Sequence, residues 1–184
     1  MVEVGSKDLE ILELRLKDIK DGVPKVVSKA INKATKSIKV SSVKRATKRY
    51  SVKAKYLNRY LESKKATKTS LKGGIKNRGQ RLLLSNFKYS GLNPSRRGKF
   101  LKASILKGSS KTMGDETFLA EVNSGKEIIF TRHGARNNIK ALFGLSAPQM
   151  LGSKELKEPM NDEIEEVLAA EMEKETNRLL KGGG

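Results

Sequence analysis

The sequence has no cysteine, no tryptophan and a single histidine, His133. Without cysteine there can be no disulfide, no thiolate-held zinc or iron–sulfur cluster, and no thiol nucleophile. One histidine also excludes the usual multi-histidine zinc sites. Aromatic residues make up 5% of the chain and hydrophobic residues 36%, against roughly 45–50% apolar residues, glycine included, in an ordinary globular chain. The core is therefore expected to be lean, with apolar faces that need neighbours. No apolar run approaches the roughly 18 residues of a membrane span. The N-terminal stretch is acidic and amphipathic rather than basic and then apolar, unlike a secretory signal. At 184 residues the chain fits one domain, or one domain with arms. The expectation is a soluble protein made in a cytoplasm, with no cofactor, no metal and no membrane partner.

Acidic residues are scarce where basic ones crowd. Between Pro24 and Lys111 there are 26 Lys or Arg and one acid, Glu62. The remainder of the chain holds 13 basic and 19 acidic residues, and the formal net charge is +19. A basic middle lies between acidic ends. Such an imbalance predicts affinity for polyanions: nucleic acid, an anionic surface or an acidic protein.

Periodicity predicts a first helix over 7–20, with Leu9, Leu12, Leu16 and Ile19 on one face and Ser6 as N-cap. Gly22-Val23-Pro24 reads as a turn into a second helix over 24–48. Its stripe of Val27, Ile31, Ala34, Ile38 and Ser41 is narrow and small, and suits close packing on a neighbour, assigned here to a second subunit. Lys and Arg cover the other faces. A third, short helix is expected over 52–63, capped by Ser51. From Ala66 the period changes toward strands, with segments at 81–89 and 100–106. A hairpin is expected from 117–122 and 126–132 around Asn123-Ser124-Gly125. The loops 91–98 and 108–115 are polar. A final helix is expected from Asn161 as N-cap, with Ile164, Val167, Leu168, Met172 and Leu179 on its apolar face. The fold class is α+β: a mostly antiparallel sheet of four or five strands packed with a long N-terminal helix and a C-terminal helix. The expected organisation is a helical part over 1–63 with a basic arm, and a β-rich core over 64–184.

No constellation points to catalysis. His133, in Thr131-Arg132-His133-Gly134, reads as a polar residue at a hairpin end, because a general base needs a partner that the sequence does not supply. Lys72-Gly73-Gly74-Ile75-Lys76 and Asn77-Arg78-Gly79 fit neither phosphate-loop nor dinucleotide spacing, and read as turns. The carboxylates Glu163, Glu165, Glu166, Glu171, Glu173 and Glu175 read as the solvated face of a helix. The basic middle is the strongest signal. Lys44, Arg45, Lys48 and Arg49 cluster at the end of the long helix, and Arg96 and Arg97 lie at a loop tip. These six are the candidate contacts to nucleic acid or an acidic partner, by charge and without base reading. The aromatics suit a core better than base stacking.

Several pieces, in this order, resemble a known family. Gly22-Val23-Pro24 opens a helix containing Ala30-Ile31-Asn32-Lys33-Ala34. Val52-Lys53-Ala54-Lys55-Tyr56-Leu57 follows, then Leu83-Leu84-Ser85-Asn86-Phe87. Phe118-Leu119-Ala120 precedes Ser124-Gly125-Lys126 and Ile129-Phe130-Thr131-Arg132. Ile139 to Met150 then leads into the terminal helix. Over about residues 20–181 the chain resembles the minor tail protein Z family of long-tailed bacteriophages. It departs from the family at Ile139-Lys140-Ala141-Leu142, where a proline-containing strand is expected.

The resemblance implies a non-enzymatic structural protein of the virion tail or neck, assembled in the host cytoplasm. It would complete the head-proximal end of the tail, aid head–tail joining and help position the DNA end. Its expected partners are copies of itself in a six-fold ring, the tail tube, terminator or head-connector proteins, and genomic double-stranded DNA. A ring joins unlike surfaces head to tail, and an acidic C-terminal helix meeting the basic middle of the next copy would suit one. The rival reading is a basic double-stranded nucleic-acid-binding module without a viral role. A purified ring favours the first, and a monomer with steeply salt-dependent DNA binding favours the second.

Overall fold

A computed structural model describes residues 4–91, 100–134 and 137–182. The chain divides into two compact units, Met1–Ser42 with Leu61–Asn77 and Lys154–Gly184, and Val43–Tyr60 with Arg78–Ser153. This differs from the partition at 63/64 expected from sequence. The basic segment 43–60 falls in the second unit, and residues 154–184 group with residues 1–42 in the first.

The first unit is a helical layer with one small hairpin. Helix α1 spans Ser6–Arg15 and helix α2 spans Gly22–Arg49. Ser6 is the first helical residue of α1; the N-cap is Gly5, with no side-chain cap bond. α1 stops five residues short of the expected Lys20, because residues 16–21 turn back on themselves and Asp21 takes a positive φ of 56°. The terminal helix, α5, spans Lys154–Leu180, about two turns longer than expected, with Pro159 inside it. The proline removes one backbone donor near the start of the helix. Leu156 is buried one turn earlier, so the apolar face begins upstream of Asn161.

Leu12 and Leu16 of α1, Val26, Val27, Ala30, Ile31 and Ala34 of α2, Ala66, and Leu168 and Met172 of α5 form one buried cluster. Three residues of the expected stripe, Val27, Ile31 and Ala34, are thus used within the chain. Val27, Ile31 and Ala34 have no exposed surface and Ile38 is 2% exposed, which leaves no surface on them for a second subunit. The expectation of a subunit contact is corrected: the neighbour of the stripe is the chain itself. Small residues at 30 and 34 let helices approach closely, and each large apolar side chain buried contributes about 1.5–3 kcal/mol.

The expected third helix is cut short. Helix α3 covers Ala54–Asn58, and Leu61–Lys64 is a strand, β1, which pairs antiparallel with β2, Gly74–Asn77. Leu61 fits a helical stripe and a strand equally well; its pairing with Asn77 decides for the strand. Gly73, read as a plain turn, is a close-approach site. A Cβ there would come within 2.4 Å of Ile31 Cγ2, so glycine lets β2 press against α2. Asn32 reinforces this contact. Its Nδ2 donates to Ala66 O at 2.9 Å, and its Oδ1 accepts from Ala66 N at 2.8 Å.

The second unit carries β3 (Arg81–Leu83), β4 (Lys88–Ser90), β5 (Lys102–Ser104), β6 (Lys111–Thr112), β7 (Thr117–Val122), β8 (Lys126–Arg132), β9 (Ile139–Ala141) and β10 (Phe143–Ser146). Helix α4, Ala147–Leu151, follows with a capping box between Ser146 and Gln149. The chain is α+β, but its ten described strands form four small antiparallel sheets rather than one of four or five strands. The β7–β8 hairpin has the expected register, closing at Val122↔Lys126. Gly125, at φ 70°, supplies the left-handed residue that ends a three-residue hairpin loop. Residues 139–141 form the edge strand β9 on β8.

Candidate polyanion-binding groove

The basic signal acquires a place in the second unit. The last turns of α2 run into an extended segment at 50–52 that bridges onto strand residues. Ser51 N donates to Ile105 O at 2.8 Å, and Lys88 N donates to Ser51 O at 3.0 Å. The sheet β4–β5–β6 forms the adjoining wall. Between them lies an open groove of about 960 Å³, lined by Lys44, Lys48, Lys53, Lys88, Lys102 and Lys107 among others. All six are exposed. Among the described residues none of the six has a carboxylate partner.

The local structure explains how six like charges meet. Lys44 and Lys48 are one helical turn apart and share a face of α2. Lys48 also sits in the last turn of the helix, where the dipole favours cations. In the sheet, Lys88 lies opposite Ser104 and Lys102 lies opposite Ser90. Because side chains alternate along a strand, these four residues share one face and the two lysines are diagonal neighbours. Hydroxyls line the floor: Ser51 Oγ and Ser104 Oγ are 3.3 Å apart, and Ser104 Oγ donates to Leu106 O at 2.7 Å. Ammonium groups beside serine hydroxyls suit a chain of phosphates, which carries charge and no sequence information. One acid approaches its edge. The phenol of Tyr89 donates to Glu127 Oε2 at 2.5 Å, and this bond, with burial, raises the Tyr89 pKa above the usual tyrosine value.

Of the six residues expected from sequence, the structure brings Lys44 and Lys48 into the groove. Arg45 and Arg49 are half-buried and do not line it; the Arg49 guanidinium lies 5.9 Å from the centre of the Tyr50 ring. Arg96 and Arg97 lie outside the described residues. Sequence reasoning missed Lys53, Lys88, Lys102 and Lys107. The signal for two of them was the alternation Lys88-Tyr89-Ser90 and Lys102-Ala103-Ser104, which puts lysine and serine on one strand face.

The acidic terminal helix is also only partly what its composition suggested. Glu175 is 3% exposed. Its carboxylate is paired with the Lys33 ammonium, with Lys29 Nζ 4.0 Å away. Glu171 lies 3.4 Å from Lys33. The Lys33 hydrogen bond holds the Glu175 pKa below the usual carboxylate value, and the same bond raises that of Lys33. This corrects the expectation of a solvated face at Glu175: here acid and base meet within one chain.

His133 is exposed at the end of β8, and its backbone N–H donates to Asn138 O at 2.9 Å. Among the described residues no group of three or more His, Asp or Glu is placed to hold a metal ion, and no helix is long and apolar enough to cross a membrane.

No curated protein and no solved structure shows significant similarity to the chain. A family model does: that of the prophage minor tail protein Z (GPZ) matches residues 9–182. The match takes in α2, both walls of the groove and α5. The chain therefore belongs to the prophage minor tail protein Z family, structural components of the phage tail.

Proposed function

We propose that this minor tail protein completes the head-proximal end of the tail as a six-fold ring, aids head–tail joining, and holds the DNA end through the phosphate backbone. The observation that carries the DNA contact is the groove of the second unit, where six exposed lysines gather with no carboxylate partner among the described residues. Charges so placed repel one another and raise the free energy of the unit until a polyanion compensates them. The ring and its partners, the tail tube, terminator or head-connector proteins, rest on the family. So does assembly in the host cytoplasm before head and tail join. Family membership favours this reading over a nucleic-acid-binding module outside a virus. The role is a binding role without a catalytic step, as the tail family suggests.

The test is duplex DNA binding measured by fluorescence anisotropy across a salt series. Log affinity should fall linearly with log salt, by a slope of about −0.9 per phosphate neutralised. Two unrelated duplex sequences should bind alike. Reversing Lys44, Lys48, Lys88 and Lys102 to Glu should flatten the slope and weaken both. In a complementation assay the same variant should leave tails that fail in DNA positioning. A variant that binds DNA as wild type does and builds infectious particles would refute the groove's role. Loss of head–tail joining with no DNA binding by the wild type would move its partner to an acidic protein.

A further inference from the structure

A second basic recess lies in the first unit, independent of the groove. Its volume is about 360 Å³, and its walls are the middle of α2 and the end of β1. Asn32, Thr35 and Lys36 come from the helix; Ser63, Lys64 and Lys65 come from the strand and the residue after it. Lys33 also borders the recess, but its ammonium is already paired with Glu175 and Glu171. Lys36, Lys64 and Lys65 are exposed, and among the described residues none of them has a carboxylate partner.

Three features distinguish this recess from a scatter of solvated lysines. The two chain segments that form it are fixed. Asn32 makes two hydrogen bonds to the backbone of Ala66, the residue directly after Lys65, which ties the lysine-bearing segment to α2. Gly73 presses the paired segment against the same helix, since a Cβ there would meet Ile31 at 2.4 Å and Lys64 O at 3.3 Å. The third feature is an unmet hydrogen-bonding group. Thr35 is 3% exposed, yet its Oγ1 has no partner, and an unpaired buried hydroxyl is costly. A threonine inside a helix commonly returns its hydroxyl to the backbone a turn earlier, as Thr176 does to Met172 O at 2.7 Å. Thr35 does not.

We propose that this recess is a phosphate-binding site, in which Lys36, Lys64 and Lys65 take the charge of one phosphoryl group and Ser63 donates a hydrogen bond to it. Lysine is a point-charge donor suited to phosphate oxygens, and the three ammonium groups come from two segments that other contacts hold in place. The phosphoryl group is that of a free inorganic phosphate or of a nucleic-acid backbone, and the experiment separates the two.

The intact protein is titrated with inorganic phosphate, with tripolyphosphate and with a short DNA duplex, at constant ionic strength set by chloride. Binding is read by calorimetry and by NMR shifts of the Ser63 and Ala66 amides. Tripolyphosphate should shift both amides, and the variant carrying Lys36→Gln, Lys64→Gln and Lys65→Gln should lose the shift. Each single substitution should weaken binding by about ten-fold, the order expected for one hydrogen bond to a charged group. Substituting Lys44, Lys88 and Lys102 by Gln should leave the response at Ser63 and Ala66 unchanged, even if it abolishes DNA binding. A wild type whose amides shift no more with phosphate, tripolyphosphate or the duplex than with chloride would overturn the proposal, as would a triple variant that binds like wild type. Shifts with the duplex alone would name a nucleic-acid backbone as the source; shifts with the small anions would name free phosphate. If the triple variant fails to fold, Gly73→Ala provides the second arm. It displaces the segment without removing a charge, and should weaken tripolyphosphate binding while a circular dichroism melt confirms the fold.

Discussion

Glu175 shows what a single side chain contributes. Its position falls on the apolar stripe of α5, in step with Leu168, Met172 and Leu179, and that spacing was the available sign that it points inward. Composition argued otherwise, because a glutamate among glutamates reads as solvated. Its pKa is lowered by Lys33. The stabilisation is therefore present above the unfolded carboxylate's value and disappears as pH falls through the lowered folded value. Lys33, raised by the same bond, loses its share as pH rises through its folded value. Glu175→Gln is expected to melt below wild type at neutral pH, with the gap closing as pH falls through the carboxylate range. Thermal melts across that range check it, and parallel curves would show that the pair contributes nothing. Ala34 is the contrasting case, since helical spacing put it on a packed stripe, expected against a second subunit and found against the chain itself. With no exposed surface at this residue, Ala34→Leu should overpack the α2 contact and cost about 1–3 kcal/mol, measured by denaturant unfolding.

Elements specified by local signals were legible in the sequence, and elements specified by distant pairing were not. The β7–β8 hairpin carries its own turn, and α2 carries enough helical period to run 28 residues. By contrast, Leu61–Lys64 becomes a strand only because Gly74–Asn77 lies beside it, and the intervening residues carry no hairpin signature. The start of α5 was misplaced for a different reason. Asn161 and the acids after it look like a helix N-terminus, but Leu156 anchors an earlier turn and Pro159 is accommodated within the helix. The groove follows the same division. Its helical wall was visible as a charge cluster, while its sheet wall depends on the register of β4 against β5. The capping box on α4 offers an element-level test. Ser146 Oγ accepts from Gln149 N at 3.3 Å, and Gln149 Oε1 accepts from Ser146 N at 2.9 Å. Ser146→Ala should cost about 0.5–2 kcal/mol. It should lower the denaturant midpoint without changing the slope, since no additional surface is exposed on unfolding.

Across the whole molecule, a net charge of +19 with lysines gathered at two sites predicts self-repulsion that salt relieves. The melting temperature should rise between low and moderate chloride, and should rise further with a polyanion at the same ionic strength. A salt-independent melting temperature would count against both basic sites as unrelieved charge. Light scattering on the purified protein should show the ring; a strict monomer at high concentration would remove that part of the proposal. The first unit has a further consequence, because it is assembled from three stretches of chain separated by the second unit. Its last stretch, α5, is synthesised after everything else. Until α5 emerges, Val27, Ile31 and Ala34 lack the cover of Leu168 and Met172, whereas every strand of the second unit has already been made. Long-range closure of this kind is slow, because the loop entropy is lost before the contacts form. In pulsed hydrogen exchange during refolding, amides of β7 and β8 should therefore gain protection before those of α2 between Val26 and Ala34. The helix that begins near the start of the chain is then among the last to become secure, and it stays exposed to proteases and chaperones until the end of the chain has been released.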